Sequence, residues 1–180
     1  TKVLLGKTLK QLGVGGGPEL KHFGVKAPVF PWTRFADVDV LPGPEMKSTG
    51  EAMGIAPEFP EALLKAWTGA GLKIPTTGRV FISVRGMDKD RWLPVVKQFY
   101  ELGFQLAATE GTAEKIRSWS IPAKFIPKVQ EGSPNVLDFV KAGKVNAIVN
   151  TPSSKAPGWA EIAIRRAAVS NGIPLVTTLS

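Results

Sequence analysis

The sequence predicts an α/β fold in which a five-stranded parallel sheet carries helices on both faces. Five short apolar runs follow residue 78, and each has the length of a buried strand. The segments between them have helical periodicity, and strands that alternate with helices form parallel sheets. Such sheets bind ligands beyond the carboxyl ends of their strands. The five predicted strands are 80–84, 104–108, 123–126, 145–149 and 175–178.

The first 76 residues are less regular and are predicted to form a separate unit. Apolar spacing in residues 1–12 predicts a helix, and the glycines of residues 13–17 predict a flexible turn. Pro28 and Pro31 restrict residues 25–32 to a strand that is short or lies at an edge.

A helix is predicted from Pro57 to Gly69, after a segment, 43–54, that is rich in turn-forming residues. Residues 73–78 are the best boundary in the chain, which gives predicted domains of 1–76 and 77–180. The apolar face predicted for the helix consists of Phe59, Leu63, Ala66 and Trp67.

The junction of the second predicted strand of the sheet with the helix after it contains Thr109, Gly111 and Thr112. A helix start presents unpaired backbone N–H groups and the positive end of the helix dipole, which suits a phosphate. The plainer interpretation is an ordinary N-cap threonine. We favour the phosphate because the ends of the other strands carry similar groups.

Polar residues follow four consecutive predicted strands at the same edge of the sheet. Threonines and lysines there suit a phosphate, while Ser83 and Asn150 suit a sugar or a base. Each side chain alone could be a surface group or a turn cap. Lys89 is expected in the first turn of a helix, and neither Thr112 nor Lys128 is expected in the core. The predicted binding residues are Ser83, Lys89, Thr109, Thr112, Lys128 and Asn150.

Composition excludes several classes of site. The chain has no cysteine, so it has no disulfide framework and no thiolate metal site, and no apolar run is long enough to span a membrane. Its one histidine, His22, has no evident catalytic partner, and no residues have the spacing of a metal site. We therefore predict no catalytic residue, no metal and a ligand sensor instead of an active site.

The net charge of +8 leaves a second class of function, nucleic-acid binding, open. From residue 77 onward 14 Lys and Arg stand against 8 Asp and Glu. A basic nucleic-acid-binding module on an α/β fold is the alternative function, although the sequence has no dense basic run and no interleaved aromatic residues.

Two groups of motifs resemble the late part of the carbamoyl-phosphate synthetase large chain. The first comprises 25–31 and the string PEMKSTGE at 44–51, which resemble the end of the second ATP-grasp half. The second resembles the terminal methylglyoxal-synthase-like domain: Ser83-Val-Arg85, Thr109-Glu-Gly-Thr112, Lys128-Val129 and Ile148-Val-Asn150. The resemblance covers essentially the whole chain and implies a fragment of a longer protein.

The resemblance also implies a function. The family's terminal domain is allosteric and binds nucleoside monophosphates such as UMP or IMP, with phosphate contacts that match Lys89, Thr109, Thr112 and Lys128. Ser83 and Asn150 match contacts to the ribose or base. The implied parent is a cytoplasmic, glutamine-dependent ligase of pyrimidine and arginine biosynthesis that uses ATP and magnesium. This fragment would lack those cofactor sites and any catalysis. Its partners would be the rest of the large chain and the glutaminase subunit, and a homo-oligomer is compatible with the sequence.

Departures from the family pattern limit what is expected. Ala27 and Val176 replace carboxylates of ornithine-regulated members, so ornithine activation is not expected. Pro152 replaces a threonine and removes one hydroxyl from the predicted site. Methylglyoxal synthase activity on the same fold is rejected, because its aspartate motifs are replaced by the sequences at 131–134 and 155–159.

Overall fold

The computed structural model describes residues 1–17, 19–32, 45–151 and 158–178, and for Met87 the backbone alone. Two groups of elements are present, and within the described ranges no helix is long and apolar enough to cross a bilayer. The first group is β1 (Phe23–Val29), β2 (Gly50–Ala56) and α1 (Phe59–Gly69). The second is β3 (Arg79–Ser83), α2 (Leu93–Glu101), β4 (Gln105–Ala108), α3 (Glu110–Ser118), β5 (Lys124–Phe125), α4 (Val136–Lys141), β6 (Ala147–Asn150), α5 (Trp159–Ser170) and β7 (Leu175–Val176).

The helix predicted at residues 1–12 is wrong. The segment forms turns and a short 3-10 helix at Lys10–Leu12, and Gly6 and Gly13 adopt left-handed backbone conformations. Val3, Leu4 and Leu9 are exposed. A short helix that buries no apolar face has little to stabilise it, so apolar spacing alone did not predict the structure.

β1 and β2 form an antiparallel pair in which Val25 lies opposite Gly54 and Ala27 opposite Ala52. The proline-limited strand predicted within 25–32 is confirmed as β1, an edge strand that accommodates Pro28. The turn-rich interpretation of 43–54 is wrong from Gly50 onward, because β2 begins there. Its inward positions are small residues, which do not give the alternation of large apolar and polar residues that signals a strand.

Close approach explains which face of α1 is buried. Ala62 and Ala66 are fully buried, whereas Phe59 and Trp67, predicted for that face, remain partly exposed. A Cβ atom on Gly54 would overlap the carbonyl oxygen of Ala62 and the backbone nitrogen of Ala66. The helix therefore lies against β2 at a distance that only glycine and alanine permit.

All five predicted strands of the parallel sheet are confirmed, in the order β5-β4-β3-β6-β7. Side chains of β3 alternate between two cores, as the twofold period of a strand requires. Val80 and Ile82 pack on the α2–α3 side, and Phe81 packs on the other side with Val136 and Ile164. Helices therefore cover both faces of the sheet.

The strand order creates a crevice beside β3. The chain passes from β3 to β4 on one side, whereas β6 pairs with the other side of β3 and is followed by β7 further out. Ser83 and Asn150 are directly paired across this point, and the N–H of Thr151 donates to the carbonyl of Ser83 (3.1 Å). In open parallel sheets, ligands bind where the strand order reverses in this way.

The loop between β5 and α4 is fixed by side-chain caps. Asn135 Oδ1 accepts from the N–H of Leu137 (2.9 Å), and Asp138 Oδ2 accepts from the N–H of Asn135 and the hydroxyl of Ser133, both at 2.8 Å. These two bonds, the backbone N–H first, and the nearby Lys141 charge hold the pKa of Asp138 below its ordinary value. The loop that they hold carries Lys128.

Gly54→Val is expected to destabilise the β1–β2–α1 group by about 1–3 kcal/mol, because overpacking forces the helix away from the strand. Gly24→Val is the matched control, since a Cβ there meets no atom within 4 Å. Amide hydrogen exchange should show faster exchange in β1, β2 and α1 for Gly54→Val alone. Equal protection in the two variants would contradict the close approach.

Asp138→Asn is expected to lower the melting temperature at pH 7. A carboxylate whose folded pKa is depressed stabilises the fold above its unfolded pKa, about 3.9, and this contribution is lost as pH falls through the folded value. The difference in melting temperature from the parent should therefore shrink below about pH 4. Glu101→Gln, on the exposed end of α2, controls for net charge. A difference that stays constant from pH 3 to pH 7 would contradict the assignment.

Limited proteolysis tests the boundary predicted between residues 76 and 77. Cleavage is expected first near 13–17 or 73–78, where exposed backbone has few side-chain partners, leaving a resistant C-terminal product. Mass spectrometry of the early fragments identifies the sites. Early cleavage within 80–149 would show that the sheet is the less stable part.

Candidate functional site

A cavity of about 380 Å³ lies at the edge of the sheet where β3, β4 and β6 end. Its volume is in the range of small-molecule sites. The loop after β5 and the start of α5 complete its wall. The structure brings all six sequence-predicted residues to this one cavity: Ser83, Lys89, Thr109, Thr112, Lys128 and Asn150.

Three hydroxyl groups form a row along one wall. Ser83 Oγ lies 3.4 Å from Thr109 Oγ1, and Thr109 Oγ1 lies 3.5 Å from Thr112 Oγ1. Both contacts are long, so the hydroxyls are weakly engaged with one another. The expectation that Thr112 lies outside the core is wrong, because its residue is only 4% exposed. It is buried beneath the cavity and still borders it.

The start of α3 adds backbone donors to this row. Thr109 is extended at the end of β4 and the helix begins at the next residue. Thr112 N–H donates to the Thr109 carbonyl (2.9 Å), while the N–H groups at Glu110 and Gly111 precede the intrahelical ladder. The helix dipole adds partial positive charge at the same point. This corner of the cavity therefore favours an anion.

Lys89 reaches the same corner from the segment after β3. Its Nζ donates to the Gly111 carbonyl oxygen at 2.6 Å. The prediction that it lies in the first turn of a helix is wrong, since it lies between two short 3-10 turns, Gly86–Asp88 and Asp90–Trp92. The tighter turns bring its amine across to α3.

Lys128 approaches from the loop after β5. Its backbone N–H donates to Glu131 Oε2 (2.8 Å), and its Nζ lies 3.6 Å from Glu131 Oε1. The lysine side chain is 58% exposed, so this ion pair is weak and exchangeable. Its expected position outside the core is confirmed.

Asn150 lies on the β6 side of the cavity and is 3% exposed. Its Nδ2 is buried and has no hydrogen-bond partner in the part of the chain that the structure describes. Buried polar groups in folded proteins are almost always hydrogen-bonded. An unpaired amide beside a cavity is therefore suited to bind a ligand.

Further residues, some apolar and some polar, also line the cavity and are not among the predicted binding residues. The apolar lining residues are Phe81, Val129, Val136 and Ile164, of which Phe81 and Val136 are fully buried. Arg85 lies two residues after β3 and Thr151 directly follows β6. Both belong to strand-end segments that the sequence identified, although neither is among the predicted binding residues. The start of α5 also borders the cavity, where Glu161 Oε2 accepts from the Gly158 N–H (2.7 Å).

The described residues place neither a metal site nor the histidine at the cavity. Among the residues that the structure describes, no group of His, Asp or Glu could hold a metal ion. His22 is exposed in the N-terminal segment and does not line the cavity. Two positions used in the sequence comparison, Pro152 and Lys155, lie outside the described residues.

The chain resembles known proteins over nearly its whole length. Residues 91–177 match the family described as "MGS-like domain". The carbamoyl phosphate synthase large chain of Acidobacterium capsulatum is 48% identical over 171 residues, which is 95% of this chain and 15% of that protein. The C-terminal section of this large chain from Aquifex aeolicus is 46% identical over 161 residues, covering 89% of this chain and 30% of that section.

A solved methylglyoxal synthase from Elizabethkingia anophelis has 12% identity and a TM-score of 0.48, covering 58% of this chain and 74% of its own. The structural likeness is weak, whereas the sequence matches are strong. The chain nevertheless spans only about 15–17% of the length of the full-length relatives. By sequence, the chain is a homologue of the C-terminal section of the carbamoyl phosphate synthase large chain, and its residues 91–177 belong to the MGS-like domain family.

Proposed function

We propose that this chain is a regulatory region of a carbamoyl phosphate synthase large chain. It binds a nucleoside monophosphate of the UMP or IMP type and thereby controls carbamoyl phosphate synthesis for pyrimidine and arginine biosynthesis. One observation carries the proposal. Two lysines, two threonine hydroxyls and a helix start converge on one corner of a cavity of about 380 Å³.

The proposed position of the 5′-phosphate is between α3 and the two lysines. A phosphate monoester carries close to two negative charges at pH 7, which Lys89 and Lys128 neutralise. The hydroxyls of Thr109 and Thr112 and the first N–H groups of α3 supply directed hydrogen bonds. Charge-assisted bonds of this kind are about twice as strong as neutral ones.

Binding exchanges internal partners for the ligand. Lys128 pairs with Glu131 across 3.6 Å, and Lys89 donates to the Gly111 carbonyl. At Lys128 a phosphate oxygen replaces the singly charged, partly solvated Glu131 carboxylate. At Lys89 it replaces the neutral Gly111 carbonyl oxygen. The exchange is favourable because a dianion interacts more strongly with an ammonium than either internal oxygen does.

Ser83 and Asn150 are proposed to contact the sugar or the base. They are directly opposite each other on β3 and β6, next to the hydroxyl row. Asn150 Nδ2 is a buried group that a ligand oxygen would satisfy. The apolar side chains nearby, including Val129 and Ile164, can pack against a ring.

The remaining parts of the proposal concern the parent protein. Catalysis, with ATP and magnesium, is assigned to regions of the large chain outside this one, and the reaction is a glutamine-dependent ligation. The proposed partners are the rest of the large chain and the glutaminase subunit, with self-association through this region as an additional contact. We propose a cytoplasmic location, where ATP and nucleotides are available. Ornithine is not included, because Ala27 is buried in β1 and Val176 offers no carboxylate.

Lys128→Ala is expected to weaken UMP binding by about tenfold or more, or ~1.4 kcal/mol, because one of two phosphate-neutralising charges is lost. Thr112→Val, which keeps the volume of this buried side chain and removes its hydroxyl, should weaken binding in the same direction. Isothermal titration calorimetry measures both. Lys97→Ala is the matched control, since it removes the same charge from an exposed position on α2.

Three outcomes would contradict the proposal. UMP affinity could be unchanged in Lys128→Ala at an unchanged melting temperature. The Lys97→Ala control could lose as much affinity as Lys128→Ala, which would indicate long-range charge alone. Binding could extend to duplex DNA and fall steeply with salt, in which case the basic surface serves nucleic acid.

A further inference from the structure

Arg85 enters the cavity from the end of β3 with a fixed backbone. Its N–H donates to Thr151 Oγ1 (3.0 Å), which ties the residue to the chain that leaves β6. Its side chain donates from Nε to Asp88 Oδ2 at 2.9 Å. The backbone of Arg85 is therefore tied to the chain after β6, and its side chain, which is 49% exposed, is tied to the turn that follows β3.

Asp88 supports this orientation. The Asp88 side chain is only 8% exposed, and a buried carboxylate is costly unless a cation pairs with it. Arg85 provides the closer cation, because Arg91 Nη1 is 4.0 Å from Asp88 Oδ1 and its side chain is 69% exposed. The requirement of Asp88 for a counter-charge therefore keeps Arg85 in place before any ligand binds.

The Nη1 and Nη2 groups of Arg85 remain available. Within the described ranges they have no hydrogen-bond partner, whereas Lys89 and Lys128 each have an internal oxygen partner. A guanidinium has five N–H donors in a planar fork, of which Asp88 engages the one at Nε. Four donors therefore remain for a ligand of the cavity that Arg85 lines.

A second unpaired group, Asn150 Nδ2, is linked to Arg85 through Thr151. Thr151, which holds the backbone of Arg85, directly follows Asn150, whose buried Nδ2 is also unpaired. The hydroxyls of Thr109 and Thr112 lie on the β4 side of Ser83, whereas Asn150 ends β6 and the backbone of Arg85 is tied to Thr151. A nucleotide that spans the edge of the sheet thus brings its base toward Asn150 and Arg85, which both line the cavity.

We propose that Arg85 is a specificity-determining residue of this cavity, which binds a carbonyl oxygen of the nucleobase through its Nη groups. The inference rests on the proposed function and adds the class of base. Uracil and hypoxanthine have carbonyl oxygens that accept these hydrogen bonds. Adenine has no carbonyl oxygen, and its amino group would place N–H donors opposite the N–H donors of Arg85. Asp88 acts as the positioning residue for the guanidinium.

Titration calorimetry of the whole chain with UMP, AMP and ribose 5-phosphate tests this assignment. The parent should bind UMP more tightly than AMP. Arg85→Gln should weaken UMP binding by about tenfold, or ~1.4 kcal/mol, while ribose 5-phosphate binding changes less than about twofold. Arg85→Lys should restore little, because an ammonium lacks the fork.

Matched variants separate positioning from charge. Asp88→Asn should lower UMP affinity in the same direction and leave ribose 5-phosphate binding unchanged. In a double-mutant cycle with Arg85→Gln, the two losses should be less than additive. Arg91→Gln removes the same charge near Asp88 from a residue that does not line the cavity, and it should bind all three ligands like the parent.

The outcomes distinguish this inference from the proposed function. If the parent binds neither UMP nor ribose 5-phosphate, the nucleotide proposal itself fails. If the parent binds both and Arg85→Gln binds UMP equally well, only the role of Arg85 is overturned. Equal losses for UMP and ribose 5-phosphate would also overturn it, because Arg85 would then hold the phosphate.

Discussion

The pairing of β3 with β4 on one side and β6 on the other is the constraint on which the site depends. Parallel strands end at the same edge, so this arrangement brings three polar chain segments together there. Ser83 is the shared member: its backbone is paired with β6, and its hydroxyl contacts Thr109. The apolar side chains of β3, packed into both cores, fix its position. The polar groups of the cavity therefore depend on burial elsewhere in the sheet.

Sequence reasoning predicted the features that strand periodicity determines. The five strands are clear from the sequence because each is an apolar run that ends in a break, and the end of a strand identifies the residues at the edge of the sheet. That is why Thr109 and Asn150 could be selected without a structure. The same reasoning did not predict β2, because Ala52, Gly54 and Ala56 pack through small size instead of large apolar area. For α1 it correctly placed Ala66 on the buried face but also placed Phe59 and Trp67 there, whereas the contact with Gly54 admits only alanine.

Contacts between side chains were the part that sequence could not provide. Nothing in the spacing of Arg85 and Asp88 distinguishes a pair with a buried carboxylate beside a cavity from a solvated pair on a helix. The structure does so because Asp88 is almost fully enclosed. Likewise, the pairing of Lys128 with Glu131 depends on the local 3-10 turn, which has no strong sequence signal. Homology supplies the family of the chain, whereas the orientation of these groups comes from the structure.

In the proposed site, the internal partners of the two lysines also bear on which anions can compete for the cavity. Chloride and bicarbonate each carry a single charge. To bind, such an ion would have to displace Glu131 from Lys128 or the Gly111 carbonyl from Lys89, and it would offer fewer strong acceptors in return. A phosphate monoester, with three acceptor oxygens and nearly two charges, recovers what the exchange gives up. If the cavity binds a nucleotide as proposed, the internal partners of both lysines would therefore favour a phosphate monoester over singly charged ions.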